Sequence, residues 1–380
     1  MKFEIFTRVY LKNAVSRHCV FFILFFGFIQ GSISFAEDIL EFTNESNGLI
    51  NPLASIFSGQ TNNNDSSKLL NEDEDSLPFQ ITKYPVILAH GLFGSDVYIL
   101  GVDYFYKVPQ FLAEQGYSVY VTKVPAIAPI SVRAKALARQ IDQILLQTGA
   151  EKVNLIGHSM GGLDGRLLIS QLGYGDKIAS LTTIGTPHKG TSIADVALGK
   201  LAPRLKGLAK KAVLSLFSYF SGYQVSWESA YTTIDQLTRE YINNTFEFEN
   251  PYDHRVYYQS FGGKANMTLW GAKEKNNKEE NKEENKEEYK EENNDGYTDK
   301  VSLLLATPHK ILNKLEGAND GLVGFDSSIM EQVNNHHEID ADHLDQVGHP
   351  ILKLTALGKK HFNHRIFYAR LLSDLAERGF

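Results

Sequence analysis

The stretch EKVNLIGHSMGGLDGR (151–166) constrains this chain more than any other. A short apolar run, VNLIG, leads directly into Gly157-His158-Ser159-Met160-Gly161, and LDGRLLISQL then places apolar residues at helical spacing. The run is too short for a helix and lacks polar alternation, so it reads as a strand buried on both faces. A G-x-S-x-G pentapeptide between strand and helix is a sharp turn. Its glycines remove side chains that would clash, and its serine is left exposed at the helix N-terminus. The flanking text alternates in the same way: TKYPVILAHG is a strand, VPQFLAEQG a helix, YSVYVTKV a strand, SVRAKALARQIDQILLQTG a helix and IASLTTIG a strand. Such alternation predicts an α/β chain with a mostly parallel sheet covered by helices on both faces.

A serine hydroxyl is a weak nucleophile at neutral pH. It needs a base to take its proton and donors to hold the oxyanion formed on attack. The backbone N–H of Met160 is one expected donor, and Leu92 in AHGLFGSD (89–96), the loop closing the strand expected beside the serine, is the other. In this architecture the acid follows the serine along the chain and the histidine follows the acid. ANDGLVGF (318–325) offers Asp320, in a turn expected to follow a late strand, with Asp326 as the second choice. For the base, the loop-like run NNHHEIDADHLDQVGH (334–349) offers His336, His337, His343 and His349. A helical metalloprotease site is excluded, because the residue four beyond His337 is Ala341. Asp342 and Asp345 flank His343 and favour it, but spacing alone leaves all four histidines open.

The first segment reads as a targeting signal. Lys2, Arg8, Lys12 and Arg17 precede or flank the apolar start of CVFFILFFGFI (19–29), and Ser34-Phe35-Ala36 places small residues where cleavage is expected. The run is shorter than the roughly 20 residues needed to span a bilayer, so residues 1–36 are predicted to be a cleaved signal peptide. Cleavage would remove four of the 38 basic and one of the 45 acidic residues, leaving a net charge of −10, which argues against nucleic acid as a partner. It would also remove Cys19, the only cysteine, so no disulfide is available. Residues 37–80 are polar and acidic and predict a disordered leader, with the ordered domain spanning 81–380. Residues 195–235 change to helical text, apolar on one side and basic on the other, which reads as a helical lid or as a helical excursion packed on the core. Residues 273–294 carry the tandem tetrads NKEE, NKEE, NKEE and YKEE, a low-complexity surface insert.

Taken together, HGLFG, GHSMGG, TIGTPHKGT, NDG and DHLDQ resemble the secreted, foldase-dependent bacterial triacylglycerol lipases of the pseudomonad type, within the α/β-hydrolase superfamily. The resemblance runs from about Tyr84 to about Lys353, interrupted by the lid-like region and the NKEE insert. It implies an α/β-hydrolase fold and a nucleophile, acid and base at Ser159, Asp320 and His343. It also implies an oxyanion hole from Leu92 and Met160, and a monomer that acts on acylglycerols at a lipid–water interface after maturation by a lipase-specific foldase. One structural Ca²⁺ is implied as well, held by the carboxylates of Asp299 and Asp345 and the carbonyls of His349 and Lys353; paired carboxylates and carbonyls are ligands a hard cation prefers. Many members carry a disulfide that this chain cannot form. A phospholipase, a lipid or sterol acyltransferase, or a non-catalytic binding module are the alternatives for the same frame.

Overall fold

The computed structural model describes residues 80–94, 103–201, 226–265, 301, 305–349 and 362–380. The expected signal peptide, the leader up to residue 79, the middle of the expected lid (202–225), the NKEE insert, Asp299 and Lys353 lie outside the described residues. Six strands, β1 (Val86–Ala89), β2 (Val119–Thr122), β3 (Val153–His158), β4 (Ile178–Ile184), β5 (Tyr257–Gly263) and β6 (His336–Ile339), form one sheet. Their order is β2-β1-β3-β4-β5-β6, and every neighbouring pair is parallel. Seven helices matter for the site: α1 (Val108–Glu114), α2 (Ile130–Thr148), α3 (Met160–Ser170), α4 (Ser192–Ala197), α5 (Trp227–Asp235), α6 (Ala306–Leu315) and α7 (His364–Glu377).

Strands β1, β3 and β4 are buried along their whole length, as unbroken apolar runs require in a parallel sheet covered on both sides. Period-two geometry divides β1 between two cores. Val86 and Leu88 pack with Val108 and Leu112 of α1 and with Tyr368, Leu371 and Leu375 of α7. Ile87 and Ala89 face the other way, onto Leu137, Ile141 and Ile144 of α2 and Leu168 of α3. Helix α2 buries Ile130, Ala134, Leu137, Ala138, Ile141 and Ile144, the stripe its spacing predicts, and each buried Leu or Ile there contributes roughly 1.5–3 kcal/mol. It stops at Gly149, whose φ of 67° is the left-handed conformation that ends a helix.

The chain runs from β1 outward to β2, then crosses back to β3 on the other side of β1, so the direction of winding reverses between β1 and β3. In open α/β sheets that reversal opens a crevice at the carboxyl ends of the strands, and both the HGLFG loop and Ser159 emerge there.

Two local expectations are corrected. The run 334–349 is not all loop: its residues His336–Ile339 form β6, pairing Phe261 with His337 and Gly263 with Ile339. His337 stacks on Phe261 with ring centroids 4.8 Å apart, so the imidazole serves as a flat, half-buried cover on an edge strand. The turn holding Asp320 follows helix α6 and not a strand. A bridge between Asn319 and Gly324 closes the turn, and Ala265 N–H donates to Asn319 O at 3.0 Å, so the turn is still delivered to the carboxyl end of β5. Of the expected lid, α4 and α5 belong to the described residues. Ala230 and Ile234 of α5 pack with Met160 and Leu163, and Lys200 pairs with Asp235 at 3.0 Å and Glu240 at 3.1 Å. Among the described residues no helix is long and apolar enough to cross a membrane.

Candidate active site

Ser159 sits between β3 and α3 with φ 55° and ψ −129°, a positive-φ backbone that is uncommon for a residue with a side chain. Such a conformation costs on the order of 1–3 kcal/mol and persists only where the surroundings over-determine it. Here Ser159 N–H donates to Ile184 O at 2.9 Å, while Ser159 O accepts from Thr186 Oγ1 at 2.8 Å and from Gly162 N at 3.1 Å. The close fit explains the glycine two residues on: a Cβ on Gly161 would lie 2.4 Å from Ala89 O. The sequence pattern and the strained turn therefore have one cause, the near-contact of α3 with the end of β1.

The loop after β1 lies against this turn, since a Cβ on Gly91 would meet Ser159 Cβ at 2.6 Å. Within it Gly91 N–H donates to Tyr104 Oη at 2.9 Å, Phe93 N–H to Ala126 O at 3.0 Å and Gly94 N–H to Gly91 O at 3.3 Å. Leu92 N–H and Met160 N–H, the two expected oxyanion donors, have no acceptor among the described residues. Backbone N–H groups left over at a helix N-terminus and in an adjoining loop are suited to a developing negative charge. Arg133, fully buried, fastens the loop from behind: Nη2 donates to His90 O at 2.7 Å, Nη1 to Pro125 O at 2.7 Å and Nε to Asp164 Oδ2 at 2.9 Å. Burial pushes the Asp164 carboxyl up to about 6 in spite of the opposing guanidinium.

Asp320, 1% exposed, is fixed by its own turn: Oδ1 accepts from Leu322 N at 2.9 Å and Val323 N at 2.8 Å. Its other oxygen, Oδ2, accepts from His343 Nδ1 at 2.7 Å and Gln346 Nε2 at 2.9 Å. A backbone bond from His343 N–H to Asp320 O at 2.8 Å holds the two residues in register. Because Nδ1 carries the proton shared with a carboxylate, Nε2 of a neutral His343 carries the lone pair. The His343 ring lies 4.6 Å from the ring of His158, the residue before Ser159, which puts the imidazole beside the turn.

Among the described residues, His343 is the one of the four histidines that meets Asp320. His336 is exposed on β6, and His337 covers Phe261. His349 is buried edge-on to Tyr104, at 6.0 Å, and burial lowers its imidazole to about 4. Asp326 is exposed in a short 3-10 turn. The loop itself is ordered by Asp342, which is fully buried and accepts from Leu344 N at 2.9 Å and Asp345 N at 2.8 Å. Asp342 is thus the aspartate that caps this loop, by the side-chain-to-backbone pattern common at such turns.

No group of three or more His, Cys, Asp or Glu side chains comes together as a metal cluster among the described residues. Asp345 is 3% exposed, on a 3-10 turn (Asp345–Val347) that ends at Gly348, and His349, whose carbonyl is the other expected ligand here, is buried one residue beyond. By type, a buried carboxylate and the main-chain carbonyl of a residue four positions on are oxygen donors that fit a hard cation such as Ca²⁺. Sequence reasoning missed Arg133, Asp164, Tyr104 and Gln346. Their spacing carries no signal, because each acts across the fold on a residue that is remote in the chain.

Comparison with known proteins agrees with this fold. The α/β hydrolase fold family matches residues 84–246. A triacylglycerol lipase of Vibrio cholerae serotype O1 (strain ATCC 39315 / El Tor Inaba N16961) is 37% identical over 189 residues, which cover 48% of this chain and 59% of that relative. A triacylglycerol lipase of Pseudarthrobacter phenanthrenivorans is 30% identical over 305 residues, covering 71% of this chain and 90% of the relative. The crystal structure of Staphylococcus hyicus lipase superimposes with a TM-score of 0.52 at 19% identity, over 78% of this chain and 97% of that one, a likeness of fold. With a relative 30% identical and aligned along nearly all of its own length, and a family match over the first four strands, this chain belongs to the triacylglycerol lipases of the α/β hydrolase fold.

Proposed function

We propose that this protein hydrolyses the carboxylic ester bonds of triacylglycerols, with Ser159 as nucleophile, His343 as general base and Asp320 as the acid that orients it. The observation that carries the reading is the buried 2.7 Å contact between Asp320 and His343, whose ring lies 4.6 Å from that of His158, the residue before the strained Ser159 turn. His343 Nε2 takes the Ser159 proton as Oγ attacks the ester carbonyl. Leu92 and Met160 N–H groups receive the tetrahedral oxyanion, and the imidazolium then protonates the departing alcohol. Water, deprotonated by the same imidazole, attacks the acyl-enzyme and releases the fatty acid. Asp320 holds the Nδ1–H tautomer and stabilises the imidazolium.

A Ca²⁺ ion would be held by the Asp345 carboxylate and His349 carbonyl, with Asp299 and Lys353 completing the set, and would supply a fixed positive charge that keeps the loop carrying His343 in place. The resemblance to pseudomonad-type lipases supports export through a signal peptide at residues 1–36, maturation with a membrane-bound foldase, and action as a monomer whose lid around residues 195–235 meets the lipid surface.

The test is labelling with a lipid-like phosphonate, with and without chelator, alongside fatty-acid release from emulsified triolein, dissolved short-chain esters and phospholipid. Labelling of wild type and none of Ser159→Ala is expected. A labelled Ser159→Ala protein would remove the nucleophile assignment, and faster turnover of phospholipid than of triolein would move the substrate to another lipid class.

A further inference from the structure

A hydrogen-bonded chain with a single direction connects the oxyanion loop to the acid, and it runs through residues that the three-residue mechanism does not use. Its direction follows from what each group can donate. The Asp320 carboxylate only accepts, so the Gln346 amide nitrogen faces it, at 2.9 Å from Oδ2. Gln346 Oε1 therefore points the other way, 3.1 Å from His158 Nε2, which must carry the proton. A neutral imidazole protonated at Nε2 has its lone pair at Nδ1, which accepts from Tyr104 Oη–H at 2.7 Å. Tyr104 Oη in turn accepts the Gly91 N–H at 2.9 Å. Burial, with His343 beside it, holds His158 well below the ordinary imidazole range, so it keeps the neutral form this chain needs. Space for the amide is built in: a Cβ on Gly185 would lie 2.3 Å from Gln346 Oε1, and one on Gly263 2.3 Å from Gln346 Nε2.

We infer that Gln346 is a positioning residue for the hydrolytic reaction, fastening Asp320 Oδ2 to the side on which His343 waits, and that His158 and Tyr104 fix which end of the Gln346 amide faces the acid. The inference rests on the triad reading given above. Its consequence is that the oxyanion loop and the acid are set by one network: Tyr104 holds Gly91, the neighbour of the Leu92 donor, and orders the amide that holds Asp320. Such a network loses its function when any link is cut, and cutting a second link adds little.

The experiment measures kcat and KM on p-nitrophenyl butyrate, per active site titrated with phosphonate, for the full-length protein and for Gln346→Met, Gln346→Glu, Tyr104→Phe and the double variant Gln346→Met/Tyr104→Phe. Gln346→Met fills the same space without donating, and Gln346→Glu presents an acceptor to an acceptor. Each is expected to lower kcat about tenfold with KM within twofold, and the double variant to lose no more than the weaker of its two single variants. Tyr104→Phe is the arm least expected to disturb folding. Full kcat per titrated site in Gln346→Met, or losses that multiply in the double variant, overturns the inference while a wild type that turns over the ester leaves the triad reading standing. A wild type that hydrolyses no ester overturns both.

Discussion

Replacing Asp320 by Asn removes a charge and keeps the shape, and the structure says which way the amide must turn. Two backbone donors, Leu322 N–H and Val323 N–H, point at Oδ1 against the one fixed donor, Gln346 Nε2, at Oδ2, so the amide oxygen takes the Oδ1 position and the NH₂ group falls where Oδ2 was, at the cost of the Gln346 bond. There it meets His343 Nδ1 at 2.7 Å, which must now accept, and the ring's proton moves to Nε2, where it cannot take the serine's proton. Restoring the productive tautomer means flipping the amide and giving up two backbone hydrogen bonds, at about 1–1.5 kcal/mol each. The imidazolium formed in the transition state also loses its charged partner, a charge-assisted bond worth about 1.5–3 kcal/mol. Together these amount to about 5 kcal/mol, close to four powers of ten in kcat, which is also the order seen when a triad aspartate is changed to Asn in serine proteases. The measurement is kcat and KM on a dissolved ester per phosphonate-titrated site, with thermal unfolding as a check on the fold. A variant keeping more than a tenth of wild-type kcat, or losing activity only through KM, would refute the reasoning; Asp326→Asn, at an exposed position, is expected to keep its rate.

Three other perturbations have defined outcomes. Arg133→Met strips the Asp164 carboxylate of its partner and releases His90 O, so urea unfolding should show a loss of about 3–5 kcal/mol together with lower kcat; unchanged stability would mean the pair is not buried as described. His188 is buried with Nε2 2.9 Å from Thr183 Oγ1, and burial, helped by Arg166 and Lys189, lowers its imidazole well below the ordinary value. The unfolded chain then binds the proton first, so stability is complete above about pH 6.5 and falls as pH drops below it, by about 1.4 kcal/mol per pH unit until the folded-state value is reached. His188→Gln should flatten that acid-side slope in pH-dependent urea titrations, and an equal slope in the variant would exclude this origin. Chelator treatment should lower the unfolding temperature of wild type, with recovery on Ca²⁺ addition, whereas Asp345→Ala should unfold at the lower temperature with or without chelator; a chelator-insensitive wild type would count against the ion.

The chain's local text was enough for the elements whose causes are local. VNLIGHSMGG places a buried strand, a strained serine and a helix in order because neighbouring glycines decide that turn, and the structure has β3, Ser159 and α3 there. Polar edge strands defeat the same reasoning. HHEI has no apolar run and reads as loop, yet it forms β6, because its backbone completes the ladder of β5 while His337 lies flat on Phe261. An edge strand with polar side chains is a common way to keep a sheet from growing further.

What the sequence determined by itself was the parallel α/β frame, the serine turn and a short set of acids and histidines that follow it, since each depends on residues within one turn or one strand. Spacing left open which histidine meets which aspartate; the resemblance implied Asp320 and His343, and tertiary structure supplies the physical reason, because the two are joined only when α6, β5 and β6 bring their loops to one end of the sheet. It also decided the support behind them: Arg133 beneath the His90 carbonyl, and Gln346 between Asp320 and His158. Those contacts span from 26 to 188 positions of chain, and no periodicity or motif carries information over such a distance; only the packed sheet brings the groups within hydrogen-bonding reach.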